Sequence, residues 1–184
     1  MKRWISFLRG VNVGGGNRLP MKEFRAVLEE AGYENVETYI QSGNIVFDSS
    51  HENYWDVSSD LTELLREHFD ITPRGHVYAP TDLKRMIQLN PFREEGLETP
   101  KTVHFFFLSE PAKDADLAAL EELKAHNEAF ELTDEAFYLL APDGIGRSKL
   151  VEKLDRTLGV PMTGRNMRTV YKVAALAGLE VEDI

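Results

Sequence analysis

The sequence predicts an α+β fold built from two tandem βαββαβ units, with antiparallel sheets backed by helices and the units packed as one compact body. Three observations predict it. The order strand, helix, strand, strand, helix, strand can be read twice along the 184 residues. The second helix of each half runs into a proline break, Ile71-Thr72-Pro73 in the first and Gly159-Val160-Pro161 in the second. Finally, Val103 to Leu108 is apolar at nearly every position. A strand with one wet face would alternate, so this one is expected to be covered on both faces, with the units close together.

In the first half, Trp4 to Leu8 reads as a short buried strand, followed by a glycine-rich loop from Gly10 to Asn17. Pro20 suits the first turn of a helix because its fixed φ is already helical. Met21, Phe24, Val27, Leu28 and Ala31 then recur at helical spacing, and Gly32 ends the run. Val36 to Ile40 and Ile45 to Phe47 read as strands joined through Ser42-Gly43-Asn44, which carries turn chemistry, so the pair is a hairpin. A helix starting near Ser58-Ser59-Asp60 places Leu61, Leu64, Leu65, His68 and Phe69 on one face. Gly75 to Ala79 closes the first unit, residues 1–80, as a strand.

Residues 81–100 read as a linker, with a short helix from Thr81 to Leu89 and a boundary loop from Asn90 to Pro100 holding two prolines and a glycine. The order then repeats over residues 101–184. Thr102 to Leu108 is a strand, and Asp114 to His126 a helix with Leu117, Leu120 and Leu123 inward. Glu128 to Leu132 and Ala136 to Ala141 are strands, and Lys149 to Leu158 is a helix built on Leu150, Leu154 and Leu158. Met162 to Arg165 is the last strand, and Asn166 to Ala177 adds a final helix. The repeat is one of pattern: Leu61 to Arg66 with its Pro73-Arg74-Gly75 exit compares with Leu150 to Asp155 and its Thr163-Gly164-Arg165 exit.

Several chemistries are excluded. There is no cysteine, so disulfides, thiol catalysis, cysteine-ligated zinc and iron–sulfur clusters are ruled out. His51, His68, His76, His104 and His126 show no metal-ligand spacing, and no serine sits in a nucleophile elbow. No metal and no cofactor are expected. The apolar run after Met1 is too short for a signal peptide and is closed by Arg9, and no stretch approaches the roughly 18 apolar residues of a membrane span. The expectation is a cytoplasmic protein without membrane contact, a monomer or homodimer.

The net charge is −10, but it is uneven. Met1 to Arg18 carries Lys2, Arg3, Arg9 and Arg18 and no acid, giving +4. Gly146 to Lys172 carries Arg147, Lys149, Lys153, Arg156, Arg165, Arg168 and Lys172 against Glu152 and Asp155, giving +5 and leaving −19 for the rest of the chain. Local sign reversal on an acidic protein points to a focused anion site.

Three segments concentrate that charge. Arg9 to Arg18 lies between a strand and a helix, and Gly14, Gly15 and Gly16 let backbone N–H groups approach a ligand. Gly10 and Gly15 have phosphate-loop spacing, but Gly16 and Asn17 stand where that loop needs lysine and a hydroxyl, which rejects an ATPase. Pro142 to Lys149 turns into a helix, with Arg147 and Lys149 in or beside its first turn. Gly164 to Thr169 does the same, with Asn166 as a helix cap and Arg168 in the first turn. Helix starts favour acids, as at Ser58-Ser59-Asp60, Thr81-Asp82 and Asp114-Ala115-Asp116, so a base there is unfavourable by about 0.3–1 kcal/mol unless an anion binds. The hairpin adds neutral hydrogen-bonding side chains at Gln41, Ser42 and Asn44. It lacks the base-stacking aromatics of RNA-recognition domains.

Four stretches are distinctive together: Leu8 to Gly15, Thr38 to Phe47, Gly146 to Leu150 and Thr163 to Val170. On these the chain resembles, nearly end to end, the bacterial "domain of unknown function 1697" family. The resemblance implies a duplicated ferredoxin-like α+β fold and no established activity. In the last stretch the family often has an aromatic where this sequence has Met167, which implies weaker binding here if that aromatic stacks on a ligand.

The expected function is a binding module for a phosphate-bearing ligand, a nucleotide or a nucleic-acid backbone, held in a basic, glycine-containing cleft. Arg9, Arg18, Arg147, Lys149, Arg165 and Arg168 would contact the anion, Gly14 to Gly16 would offer N–H groups, and Asn12, Asn17, Gln41, Ser42, Asn44, Ser148 and Asn166 would supply neutral hydrogen bonds. Two alternatives stand beside it. An enzyme acting on a small anionic substrate would need a titratable group in the same cleft. A protein–protein interaction or structural module would use the motifs for turns and packing.

Overall fold

The structure, a computed structural model, describes residues 1–180. These form two compact units: Met1–Arg85 with the chain from Tyr171 onward, and Met86–Val170. The first contains β1 (Lys2–Leu8), α1 (Met21–Glu30), β2 (Glu34–Tyr39), β3 (Asn44–Ser49), α2 (Tyr54–Phe69) and β4 (Gly75–Tyr78). Helix α3 (Pro80–Leu89) spans the boundary. The second contains α4 (Arg93–Glu98), β5 (Val103–Leu108), α5 (Leu117–Leu123), β6 (Ala129–Leu132), β7 (Ala136–Leu140), α6 (Lys149–Leu158) and β8 (Met162–Asn166). Helix α7 (Met167–Leu176) begins in the second unit and ends in the first.

Each unit has one four-stranded antiparallel sheet, ordered β2-β3-β1-β4 and β6-β7-β5-β8. Alternation along each central strand sets the cores. On β1, Trp4 and Leu8 join Phe24, Leu28, Leu61 and Leu65 in one cluster. On β5, Phe106 and Leu108 join Leu139, Leu150 and Leu154 in another. Burying such side chains contributes about 1.5–3 kcal/mol each. All six residues of β5 are buried, in keeping with a run that is apolar at every position except His104.

The structure departs from the sequence reading in four places. Helix α2 starts at Tyr54, because Asn53 caps it by accepting from Asp56 N–H at 3.0 Å; its first-turn acid is Asp56, and Asp60 lies within the helix. The core face of α2 is Val57, Leu61 and Leu65, continued by Phe69 edge-on to Phe24 at 5.8 Å, which leaves His68 exposed. The boundary loop contains α4, whose Gly96 is buried against Met167; its flanking prolines disguise a helix with Glu94 and Glu95 in the first turn. Helix α5 is short and capped by Asp116, which accepts from Ala119 N–H at 3.0 Å.

The registers also realign the repeat. Leu8 pairs with Gly75 and Leu108 with Met162, so Gly75 corresponds to Met162 and Tyr78 to Arg165. Pro73-Arg74-Gly75 therefore enters its strand, whereas Thr163-Gly164-Arg165 lies inside one.

Candidate anion site

In the first unit every sequence-predicted residue lies at one end of the sheet, where β1 and β2 finish and β3 and β4 begin. Asn12 to Asn17 form a hairpin of their own. Asn12 N–H donates to Asn17 O at 3.1 Å and Gly16 N–H to Val13 O at 3.3 Å. Gly14 and Gly15, at φ 60° and 78°, make its tip, a conformation that suits a two-residue hairpin turn. The glycines thus build a turn that precedes the start of α1, and Arg18, Leu19 and Pro20 separate them from that helix.

Asn12 ties this loop to the β2–β3 hairpin. Its Nδ2 donates to Leu19 O at 2.7 Å and to Gln41 O at 2.6 Å, and its Oδ1 accepts from Leu19 N–H at 2.8 Å. Gly43 permits the close approach: a Cβ there would lie 2.6 Å from Val11 Cγ2 and 2.7 Å from Leu8 Cβ. Buried Asn44 donates to Tyr39 O and Ser42 Oγ, both at 3.0 Å. Asn12, Ser42 and Asn44 therefore hold the loops. Arg18 and Gln41 are exposed, and Arg18 has no ion-pair partner among the described residues. Arg74, which the sequence reading did not select, stands beside them, because its carbonyl accepts from Arg9 N–H at 2.8 Å.

In the second unit β7 and β8 both flank β5 and are each antiparallel to it, so they run parallel to each other. Their carboxyl ends lie at the same end of the sheet, Leu140 opposite Val103 and Asn166 opposite His104. Two strand spacings separate them, about 10 Å. Residues 141–148 lead from β7 into α6, and β8 passes directly into α7.

Both helices are capped there. Ser148 Oγ accepts from Val151 N–H at 3.2 Å, and Asn166 Oδ1 from Thr169 N–H at 3.0 Å. In α6 this leaves the N–H groups of Lys149 and Leu150 without a protein partner among the described residues. Arg147 sits just before the Ser148 cap, Lys149 opens α6, and Arg168 is the second residue of α7, whose first turn has no acid. All three are exposed, and none is ion-paired among the described residues. On other helices Arg25, Arg85 and Lys124 pair with Glu29, Asp82 and Glu121.

Arg165 behaves differently. It shares a face with its partner Phe105, opposite to the face on which α6 packs. Its Nη1 donates to Thr163 Oγ1 at 2.9 Å and Gly164 O at 2.8 Å, and burial lowers the guanidinium pKa to about 10.

The sequence reading also passed over His104 as a site residue. It is the one polar residue in Val103 to Leu108, and its signal was that interruption. It is only 7% exposed. Burial lowers its pKa, opposed by a backbone hydrogen bond at Lys101, and its Nε2 has no partner among the described residues. Among the described residues no group of three or more His, Asp or Glu could hold a metal ion, and no helix is long and apolar enough to cross a membrane.

A family profile described as "Protein of unknown function (DUF1697)" matches residues 1–138. The match takes in the stretches Leu8 to Gly15 and Thr38 to Phe47 and ends before the other two. Among solved structures the chain is similar to a conserved bacterial protein from Streptococcus pneumoniae, with a TM-score of 0.67 at 24% identity, over 95% of this chain and 98% of that one. That likeness shows the fold. No curated protein matches the chain.

Proposed function

We propose that this chain, which belongs to the DUF1697 family of proteins of unknown function, is a binding module for a phosphate-bearing ligand, a nucleotide or a nucleic-acid backbone. The observation that carries the reading is the end of the second sheet, where two helices start with exposed, unpaired bases among the described residues. Helix starts favour negative charge; α2 and α3 follow that rule with Asp56 and Asp82, and α6 carries Glu152 in its first turn beside its bases, whereas α7 has no acid there. Arg147, Lys149 and Arg168 oppose it. A bound phosphate reverses the sign, because it is attracted by the helix ends, by the side chains and by the open N–H groups of Lys149 and Leu150. In the first unit, Arg18, Gln41 and the Gly14–Gly15 tip are the groups offered to ligand, on loops held by Asn12 and Asn44.

Thermal unfolding with inorganic phosphate, mononucleotides and short oligonucleotides at two salt concentrations tests this. A ligand at about 100 times its Kd stabilises the native state by roughly 2.7 kcal/mol, a clear rise in Tm. The rise is expected to shrink with salt and to be lost in Arg147→Ala and Arg168→Ala. No rise with any of these anions overturns the reading.

A further inference from the structure

Among the described residues eight large apolar side chains are exposed, and five of them stand at the two opposite ends of the first sheet. Val13 and Ile40 lie where β1 finishes, on the two loops that Asn12 Nδ2 ties together through Gln41 O. Met1, Tyr54 and Trp55 lie where β1 begins. There Lys2 pairs with Ser49, and its Nζ donates to Glu52 O at 3.0 Å, which holds the turn into α2 beside that strand end. The seven residues of β1 separate the two ends by about 20 Å.

The ends differ in chemistry. At the finishing end Ile40 holds φ 51°, a left-handed conformation that is unfavourable for a β-branched residue and that glycine or asparagine adopts readily. It nevertheless presents an aliphatic side chain to solvent, 51% exposed. Val13 belongs to a hairpin whose tip stands clear, since a Cβ on Gly14, Gly15 or Gly16 would meet nothing within 4 Å. Arg18 and Arg74 share this end, exposed and without an ion-pair partner among the described residues. A phosphate calls for the arginines but not for the aliphatic tips.

At the starting end Tyr54 and Trp55 open α2 with ring centroids 4.8 Å apart. Trp55 is 69% exposed, against 6% for Trp4, the other tryptophan. Residues 50–63 carry Glu52, Asp56, Asp60 and Glu63 and no lysine or arginine. Lys2 and Arg3 pair with Glu52 and Asp48. Asp56, beside the rings, takes a hydrogen bond from Asn53 and has no ion-pair partner among the described residues. Aromatic faces and carboxylates both attract guanidinium groups, and tryptophan, tyrosine and arginine dominate the energetics of protein contacts. Each end therefore supplies what the other lacks.

We infer that the first unit docks head to tail on a second copy of this chain, the basic, aliphatic end of one copy against Tyr54, Trp55 and Asp56 of the next. The contact is heterologous, so each member of a pair keeps one free end. It goes beyond the phosphate reading, which the second unit carries.

Sedimentation of the full chain from about 1 μM to about 1 mM, at low and moderate salt, tests it. The mass is expected to rise above 20.9 kDa with concentration and to fall back with salt, which screens the arginines. The emission of Trp55 is expected to shift to the blue over the same range. Trp55→Ala and Arg18→Glu change exposed side chains, and each is expected to weaken association by about 30-fold. Mixed together, the two variants are expected to form a one-to-one pair and nothing larger, since each retains the end that the other has lost. Ile40→Asn is expected to raise the folded-to-unfolded ratio by about 5–30-fold while weakening association, a combination that a purely structural residue does not give. A mass of 20.9 kDa at every concentration overturns the inference, as does association that persists in Trp55→Ala or fails to reappear in the mixture. Either result leaves the phosphate reading standing, because its rise in Tm depends on Arg147 and Arg168.

Discussion

Gly15 and Gly43 both hold a positive φ, yet a methyl group would meet very different surroundings at each. Gly15 has open space, so Gly15→Ala is expected to cost about 1–2 kcal/mol, the backbone penalty alone. At Gly43 the added Cβ also meets Val11 and Leu8, so Gly43→Ala is expected to cost about 2–5 kcal/mol. Urea unfolding of the two variants checks the difference. His104 gives a second prediction at this scale. Its native pKa is lowered by burial, so the unfolded chain binds more protons just below the ordinary histidine value of 6.5. Stability should therefore be retained above that value and fall as pH drops below it, down to the lowered native pKa. Urea midpoints at pH 7.5 and 5.5 should fall less in His104→Phe than in the parent protein. Residue roles of this kind were hard to read in the sequence. His104 sits in an apolar run that reads as a buried strand, and Asn12 acts through a carbonyl 29 residues away.

At the scale of elements, α6 and α7 make opposite demands on their first turns. Ser148→Ala should lose the cap of α6 and cost about 1 kcal/mol. Arg168→Ala should do the reverse without ligand: removing a base from the start of α7 should stabilise the protein by about 0.3–1 kcal/mol at low salt, while abolishing the phosphate-dependent rise in Tm. A variant that gains stability and loses binding separates a ligand group from a structural one. Helix α6 was legible to the residue because its leucines recur cleanly and Gly159 ends it at φ 70°. Helix α2 was misplaced at its start because Asp60 resembles a first-turn acid, whereas it accepts from Tyr33 Oη at 2.5 Å and lies 3.3 Å from His51 Nε2. Burial first, then the bond to Asp60, raises the Tyr33 pKa. The ultraviolet phenolate titration should show Tyr33 still protonated above the usual range, as a late-titrating component that is missing in Tyr33→Phe.

At the scale of the molecule, the strand–helix order was sufficient to give two βαββαβ units, because apolar periodicity and turn residues mark each element. The pairing registers were not legible, and they decide which ends of the sheets carry the candidate residues. The first unit presents its candidates where β1 finishes, and the second where β5 begins. By the registers, the loop after β1 corresponds to the segment after β5, which opens Ser109-Glu110-Pro111 and has none of the glycines. The duplication therefore repeats the scaffold and not the candidate site, which a pattern-level comparison of the halves cannot reveal.

The central claim is that the bases at the helix starts of the second unit hold an anion. A backbone amide NMR titration with inorganic phosphate tests it most directly. The account predicts saturable shifts concentrated at Lys149, Leu150 and Arg168. Shifts that never saturate, or that spread equally over exposed lysines such as Lys22 and Lys113, would contradict it.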